Sequence, residues 1–173
     1  LASDALESWR LEPVKPDWAG GLRQSWKPGE ASARTRLRDF LGSAVRGYAA
    51  ERDRPDLDGT SRLSPHLRFG EISPRQVWHA ARFAAEEEPA IGTGVDKFLS
   101  ELGWREFSRH LLHDHPDLST VNMQASFDEF PWKHDPDALA AWQRGRTGYP
   151  IVDAGMRELW YTGVMHNRVR MVV

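Results

Sequence analysis

At 173 residues the chain is long enough for one domain with a substantial core and too short for two comfortable ones, and its 40% hydrophobic and 28% charged residues exclude a disordered polymer. A net charge of −2 means that any grip on nucleic acid must come from a local patch, and the absence of cysteine excludes disulfides, thiolate metal sites and cysteine nucleophiles. No apolar run reaches the length of a membrane span and no signal-peptide pattern opens the chain, which fits a cytoplasmic protein away from membranes.

Residues 1 to 30 lack helical periodicity and are punctuated by Pro13, Pro16, Gly20, Gly21, Pro28 and Gly29. They read as a linker or lead-in arm, pinned by Trp9, Trp18 and Trp26. Leu37, Phe40, Leu41, Ala44, Val45 and Tyr48 then fall at i, i+3, i+4, i+7, i+8 and i+11, one helical stripe that the polar turn Arg54–Gly59 ends. Ser64-Pro65 and Ser73-Pro74 each place a hydroxyl at an N-cap and a proline at the first helical position, and Gln76 completes a capping box with Ser73. Further helices are predicted from Val95 to His113, from Pro136 to the stop at Gly145, and from Pro150 to Tyr161 with Gly163 as terminator. A last helix begins near Met165 and reaches Val173 without a cap, so the chain is expected to be cut inside a larger domain. No stretch alternates as a strand does, and the predicted fold is all-α, a multi-helix domain truncated at its C-terminus.

Three constellations could carry chemistry. In Thr60-Ser61-Arg62-Leu63-Ser64-Pro65, three hydroxyls and a guanidinium gather ahead of a helix, as a phosphate needs; a plain capping loop would look the same. Glu101, Trp104 and Arg105 share a helix face, either as a solvated i,i+4 ion pair or as an indole that stacks on a base between charges holding its edges. Asn167, Arg170 and Met171 share another face while Arg168 points elsewhere, and Arg144, Arg146, Arg157, Arg168 and Arg170 outnumber nearby acids. His110, His113 and His115 sit at a helix end, where histidines meet the dipole, and are not assigned to a metal.

Together these segments resemble a known family. Thr60–Pro65, Phe69-Gly70-Glu71-Ile72-Ser73-Pro74-Arg75, Trp104-Arg105-Glu106-Phe107, Trp142–Arg157 with its Arg-Thr-Gly-Tyr-Pro run, and Met165-His166-Asn167-Arg168 follow one another as in the photolyase/cryptochrome family. The resemblance covers nearly everything after Ala31. It implies that residues 31–173 are the N-terminal part of a helical FAD-binding domain. Residues 1–30 would then follow an antenna domain, with its own second chromophore, that the sequence lacks. The later part of the flavin domain, with an aspartate-rich loop and two inner relay tryptophans, would be missing too.

By motif match, the resemblance implies that Thr60, Ser61, Arg62, Leu63 and Ser64 hold the FAD phosphates, with Tyr48, Arg105, Asn167 and Arg170 as further flavin contacts. Arg52 and Arg168 match DNA contacts. Glu101 and Trp104 match residues that touch a pyrimidine dimer, and Met171 lines the dimer pocket. Trp132 matches the outer tryptophan of an electron relay, where the alternative is a packing indole. The implied activity is that of a deoxyribodipyrimidine photo-lyase: light-driven repair of cyclobutane pyrimidine dimers by electron transfer from reduced FAD, in a monomer that binds damaged DNA. The alternatives are a cryptochrome-type blue-light receptor without repair, or a flavin-free helical DNA-binding module. Trp104 and Asn167 favour repair, since plant receptors tend to lose that tryptophan and carry aspartate for that asparagine. Ser64-Pro65-His66-Leu67 and Met156-Arg157-Glu158-Leu159-Trp160 look receptor-like and suggest a bacterial photolyase related to plant cryptochromes.

Overall fold

The computed structural model describes residues 3–173; the first two residues of the predicted lead-in arm lie outside them. In chain order the helices are α1 (Gly20–Ser25), α2 (Glu30–Gly42), α3 (Tyr48–Glu51), α4 (Ser64–Arg68), α5 (Pro74–Glu87), α6 (Gly92–Asp114), α7 (Pro136–Gln143), α8 (Pro150–Thr162) and α9 (Asn167–Val172). Short 3₁₀ turns separate them, and no strand occurs among the described residues. The chain is all-α, as its periodicity predicts. Among the described residues no helix is long and apolar enough to cross a membrane. The helices gather into two compact units: Pro28–Asp135, and the segment ending at Lys27 together with Pro136–Val173.

The unit Pro28–Asp135 is organised by its longest helix, α6. Phe98 of α6 packs against Phe40 of α2 at a ring-centroid distance of 4.7 Å and edge-on to Tyr48 at 5.8 Å, and Phe40 meets Tyr48 edge-on at 5.4 Å. Edge-to-face aromatic contacts add to the burial of apolar area, which is the main stabilising term. Leu37, Val45, Leu63, Ile72, Val77, Ile91, Val95, Leu99 and Leu102 complete this core. The stripe from Leu37 to Tyr48 is therefore buried as predicted, but not as one helix. α2 stops at Gly42, a 3₁₀ turn covers Ala44–Arg46, and α3 begins at Tyr48. The cause is local: Gly42 is a weak helix former, and the Ser43 hydroxyl donates back to Asp39 O at 2.7 Å while its backbone leaves the helical region (φ −138°, ψ −78°).

Serine capping divides between the two predicted sites. At α5 the capping box is complete: Gln76 N–H donates to Ser73 Oγ at 3.1 Å and Ser73 N–H to Gln76 Oε1 at 2.8 Å. At α4 the helix starts on Ser64 itself, Leu63 takes the cap position with near-helical dihedrals, and no side chain caps it. Leu63 is buried, so the chain enters α4 from the core and the Ser64 hydroxyl is left on the surface. α6 begins at Gly92, three residues ahead of the predicted start.

In the second unit the lead-in segment is not without helix, since α1 packs on α8. Trp26 is the tryptophan that pins it: Nε1–H donates to Thr162 O at 2.5 Å. Trp9 and Trp18 are exposed. Met156, Met165 and Val169 form the small core between α8 and α9, and α8 ends at Gly163, whose φ of 74° takes the left-handed cap. The Arg-Thr-Gly-Tyr-Pro turn ahead of α8 is held by Asp153. Its carboxylate accepts from Thr147 N–H (2.7 Å), Thr147 Oγ1 (2.7 Å) and Gly148 N–H (3.0 Å), and these bonds, the Thr147 hydroxyl first, hold the carboxyl below its ordinary range.

α6 reaches its seat because Gly94 has no side chain: a Cβ there would lie 1.8 Å from Val45 O. Gly94→Ala is therefore expected to destabilise the protein by about 1–3 kcal/mol. Gly103→Ala, on the same helix with nothing within 4 Å of its Cβ, should instead stabilise by up to about 1 kcal/mol. Urea unfolding of the purified protein separates the two. A Gly94→Ala protein as stable as the parent would contradict this packing.

Candidate active site

The hydroxyl loop is stiff. Gly59 and Leu63 are buried at its two ends, and Arg62 between them stands at φ 49°, a left-handed conformation uncommon for a residue with a side chain. Ser61 Oγ accepts from Leu63 N–H at 3.4 Å, and Arg62 Nε lies 3.1 Å from Asp58 Oδ1. α4 is a helix of five residues, so the macrodipole invoked for a phosphate site is weak, and what remains is the donor set of Thr60, Ser61, Ser64 and Arg62. Behind the loop, Glu71 ties three points together. Its Oε2 lies 2.5 Å from Nδ1 of buried His66, its Oε1 accepts from Gly29 N–H at 2.8 Å, and its own N–H donates to His66 O at 2.9 Å. The contact with His66, followed by that with Gly29, holds the Glu71 carboxyl below its ordinary range.

Beside it, on α3 and α6, lies a charge network on an aromatic floor. The Arg52 guanidinium pairs with Glu101 Oε1 and, through Nε, with Asp53 at 3.3 Å, and lies 5.9 Å over the Tyr48 ring. Lys97 adds a second cation 3.6 Å from Glu101. Burial raises the pKa of the Tyr48 hydroxyl. One turn along α6, the Trp104 indole is 59% exposed, edge-on to Phe107 at 5.4 Å. Ser100, Gly103, Trp104 and Phe107 line an open, apolar cleft of about 310 Å³.

Of the two readings of the α6 face, the simple i,i+4 ion pair does not form. Glu101 goes to Arg52 rather than to Arg105, and Arg105 turns to Glu106 and reaches Leu67 O at 3.4 Å. The reason is partner supply: α3 brings a nearly buried guanidinium to Glu101, and such a partner outcompetes an exposed i,i+4 contact of a few tenths of a kcal/mol. Trp132 is 77% exposed with Phe130 against it at 4.6 Å. In the second unit Asn167, Arg168, Arg170 and Met171 are exposed on α9. Arg168 does not point away, because its Nη1 lies 3.5 Å from Met171 Sδ.

Comparison with known proteins shows the family in which this arrangement occurs. The family model described as the FAD binding domain of DNA photolyase matches residues 98–173. A deoxyribodipyrimidine photo-lyase of Agrobacterium fabrum is 49% identical over 171 residues, 99% of this chain and 35% of that protein. Cryptochrome-1 of Arabidopsis thaliana is 41% identical over 157 residues, 88% of this chain and 23% of that protein. The crystal structure of a bacterial class III photolyase from Agrobacterium tumefaciens superposes with a TM-score of 0.92 at 48% identity, covering 99% of this chain and 35% of that one. The chain belongs to the photolyase/cryptochrome family. It spans about a third, or less, of the length of these relatives.

Within this photolyase-type domain, the unit Pro28–Asp135 brings together Tyr48, Arg52 and Glu101, with Trp104 and Arg105 on the same helix and the loop of residues 60–64 joined to Arg105 through Leu67 O. Asn167, Arg168, Arg170 and Met171 belong to the other unit, and Trp132 stands apart on the surface. Three contributors escaped sequence reasoning. Phe107 forms a wall of the cleft, and the aromatic spacing Trp104–Phe107 at i,i+3 was its signal. His66 and Glu71 lay inside quoted motifs without a role, although a histidine and a carboxylate five residues apart across a glycine turn could have suggested a pair.

Arg52 is 11% and Glu101 29% exposed, so removing one partner leaves the other poorly solvated with only its longer ion pair, to Asp53 or to Lys97. Arg52→Met and Glu101→Gln are each expected to cost about 1–3 kcal/mol, and the double variant less than their sum by at least about 0.5 kcal/mol. A double-mutant cycle of unfolding free energies checks this; strict additivity would show that the pair contributes no coupling.

Proposed function

We propose that the full-length protein is a photolyase: a light-driven enzyme that splits cyclobutane pyrimidine dimers in DNA with bound FAD. The observation that carries this reading is the exposed Trp104 indole on its apolar cleft, one turn from a carboxylate held in place by Arg52. Stacking on a flipped-out base needs such an uncovered aromatic face, and a hydrogen-bonded carboxylate beside it can accept from a base edge. In this reading residues 31–173 are the N-terminal part of the flavin domain.

The donors available fit FAD. Thr60, Ser61 and Ser64 offer hydroxyls, Arg62 a guanidinium and the Leu63 backbone an N–H, the set that a pyrophosphate takes up. Tyr48 and Arg105, with Asn167 and Arg170, would hold the remainder of the cofactor. When bound and reduced, FAD supplies the photoexcited electron that dimer cleavage requires. The chain's own residues bind and orient: Trp104 stacks on the dimer, Glu101 hydrogen-bonds to it, Met171 lines its pocket, and Arg52 and Arg168 meet the DNA, Arg52 through the carboxylate that it orients. Trp132 is read as the outer residue of the electron relay, because a surface indole is the accessible end such a relay needs. A second, light-gathering chromophore belongs to a part of the protein beyond these residues.

A second reading, a blue-light receptor without repair, draws on the likeness to Arabidopsis cryptochrome-1. Trp104 separates them. In the repair reading, Trp104→Ala in the full-length protein weakens binding to DNA carrying a dimer by roughly tenfold or more, as loss of one stacked base implies. Binding to undamaged DNA of the same sequence changes far less. Fluorescence anisotropy with the two oligonucleotides measures both constants. An equal loss on the two DNAs would assign Trp104 to packing and remove the observation on which the repair reading stands.

A further inference from the structure

We propose that His66 and Glu71 are positioning residues for the flavin-phosphate loop, fixing residues 60–64 in the pose that takes up the pyrophosphate of FAD. The proposal rests on the FAD reading above and deepens it. Among the described residues His66 and Tyr48 are the titratable side chains that the fold buries, and the imidazole, at 3% exposure, is the deeper. Burying an imidazole is costly without a partner, and Glu71 supplies one at 2.5 Å. The same carboxylate receives Gly29 N–H at the head of α2, and the Glu71 backbone N–H closes the turn onto His66 O. One residue thus fastens the ring and carbonyl of His66 to the start of another helix.

The consequence for the loop follows from spacing. Leu63 and His66 are three residues apart in α4 and its cap, and both are buried at 3% exposure or less. They are the two anchors from which Thr60, Ser61 and Arg62 extend. The Leu63 side chain is held by apolar packing, which fixes depth but little rotation; the His66 side chain is held by a directional hydrogen bond, which fixes rotation about the α4 axis. Arg105 steadies the far side of α4 through Leu67 O. Without the Glu71 contact, α4 keeps its core leucine but loses the bond that sets which way the hydroxyls face. Preorganised donors bind more tightly because less ordering remains to be done on binding.

The test uses the full-length apoprotein and FAD itself, titrated by flavin fluorescence at a temperature where circular dichroism shows every variant fully folded. Glu71→Ala is expected to weaken FAD binding about tenfold, equivalent to 1.4 kcal/mol. Glu71→Gln, which keeps an acceptor oxygen, should recover part of the affinity. Val77→Ala is the control for stability alone: Val77 is fully buried on the inner face of α5 and its truncation lowers stability, yet FAD affinity should stay at the parental value. If Glu71→Ala binds FAD as tightly as the parent, or if Val77→Ala loses as much affinity, the positioning role is overturned and the FAD reading stands. If the unaltered protein takes up no FAD, the reading itself fails, and the proposal with it.

Discussion

The close approach of α6 to the turn Ala44–Arg46 at Gly94 is the contact on which the larger unit depends. Only a residue without a Cβ lets the helix come down on Val45 O, and that depth brings Phe98 onto both Phe40 and Tyr48. Once those rings are seated, the rotation of α6 is set. Val95, Phe98, Leu99 and Leu102 face inward, so Trp104 comes to the surface and Glu101 meets Arg52 at the border. A helix seated farther out would present the same residues with more freedom to rotate. The face that carries Glu101 and Trp104 thus inherits its geometry from an apolar constraint two to three turns away.

The cations and carboxylates of the site are already paired with one another: Arg52 with Glu101 and Asp53, Arg62 with Asp58, Arg105 with Glu106. In the photolyase reading a phosphate arriving at Arg62 displaces an exposed carboxylate of its own chain, an exchange that costs little because the Asp58 side chain is well solvated. Arg52 is different. It is nearly buried and bound to Glu101, so it serves best by orienting that carboxylate rather than by leaving it. The chain's charge of −2 is compatible with DNA binding on these terms, since cations are matched locally and only particular faces are left basic.

Helix identity was legible wherever periodicity and terminators agreed, as in α5 with its capping box and α8 with Pro150 and Gly163. Sequence reasoning faltered where several local outcomes lay close in energy. The stripe from Leu37 to Tyr48 keeps its buried face through a helix, a 3₁₀ turn and a second helix, because both helix types turn the same side inward over so short a run. Ser64 had the look of a cap, but the burial of Leu63 moved the start of α4 by one residue. Glu101 was seen on the right face but its partner was not, because Arg52 lies 49 residues away in sequence and only the fold brings it near. Glu71 had the same problem for one of its partners, since Gly29 lies 42 residues away although His66 is only five. Short-range chemistry could be read from the chain; pairings across the fold could not.

The measurement that bears most directly on the central claim is light-dependent repair by the purified full-length protein. An oligonucleotide carrying a single cyclobutane thymine dimer is incubated with reduced protein, in blue light and in the dark, and the restored thymines are quantified by chromatography. Dimer loss in the light, none in the dark, and none after the flavin is removed is the predicted result. A flavin-containing protein that binds the oligonucleotide and leaves the dimer intact under illumination would contradict the account and make the domain that of a receptor.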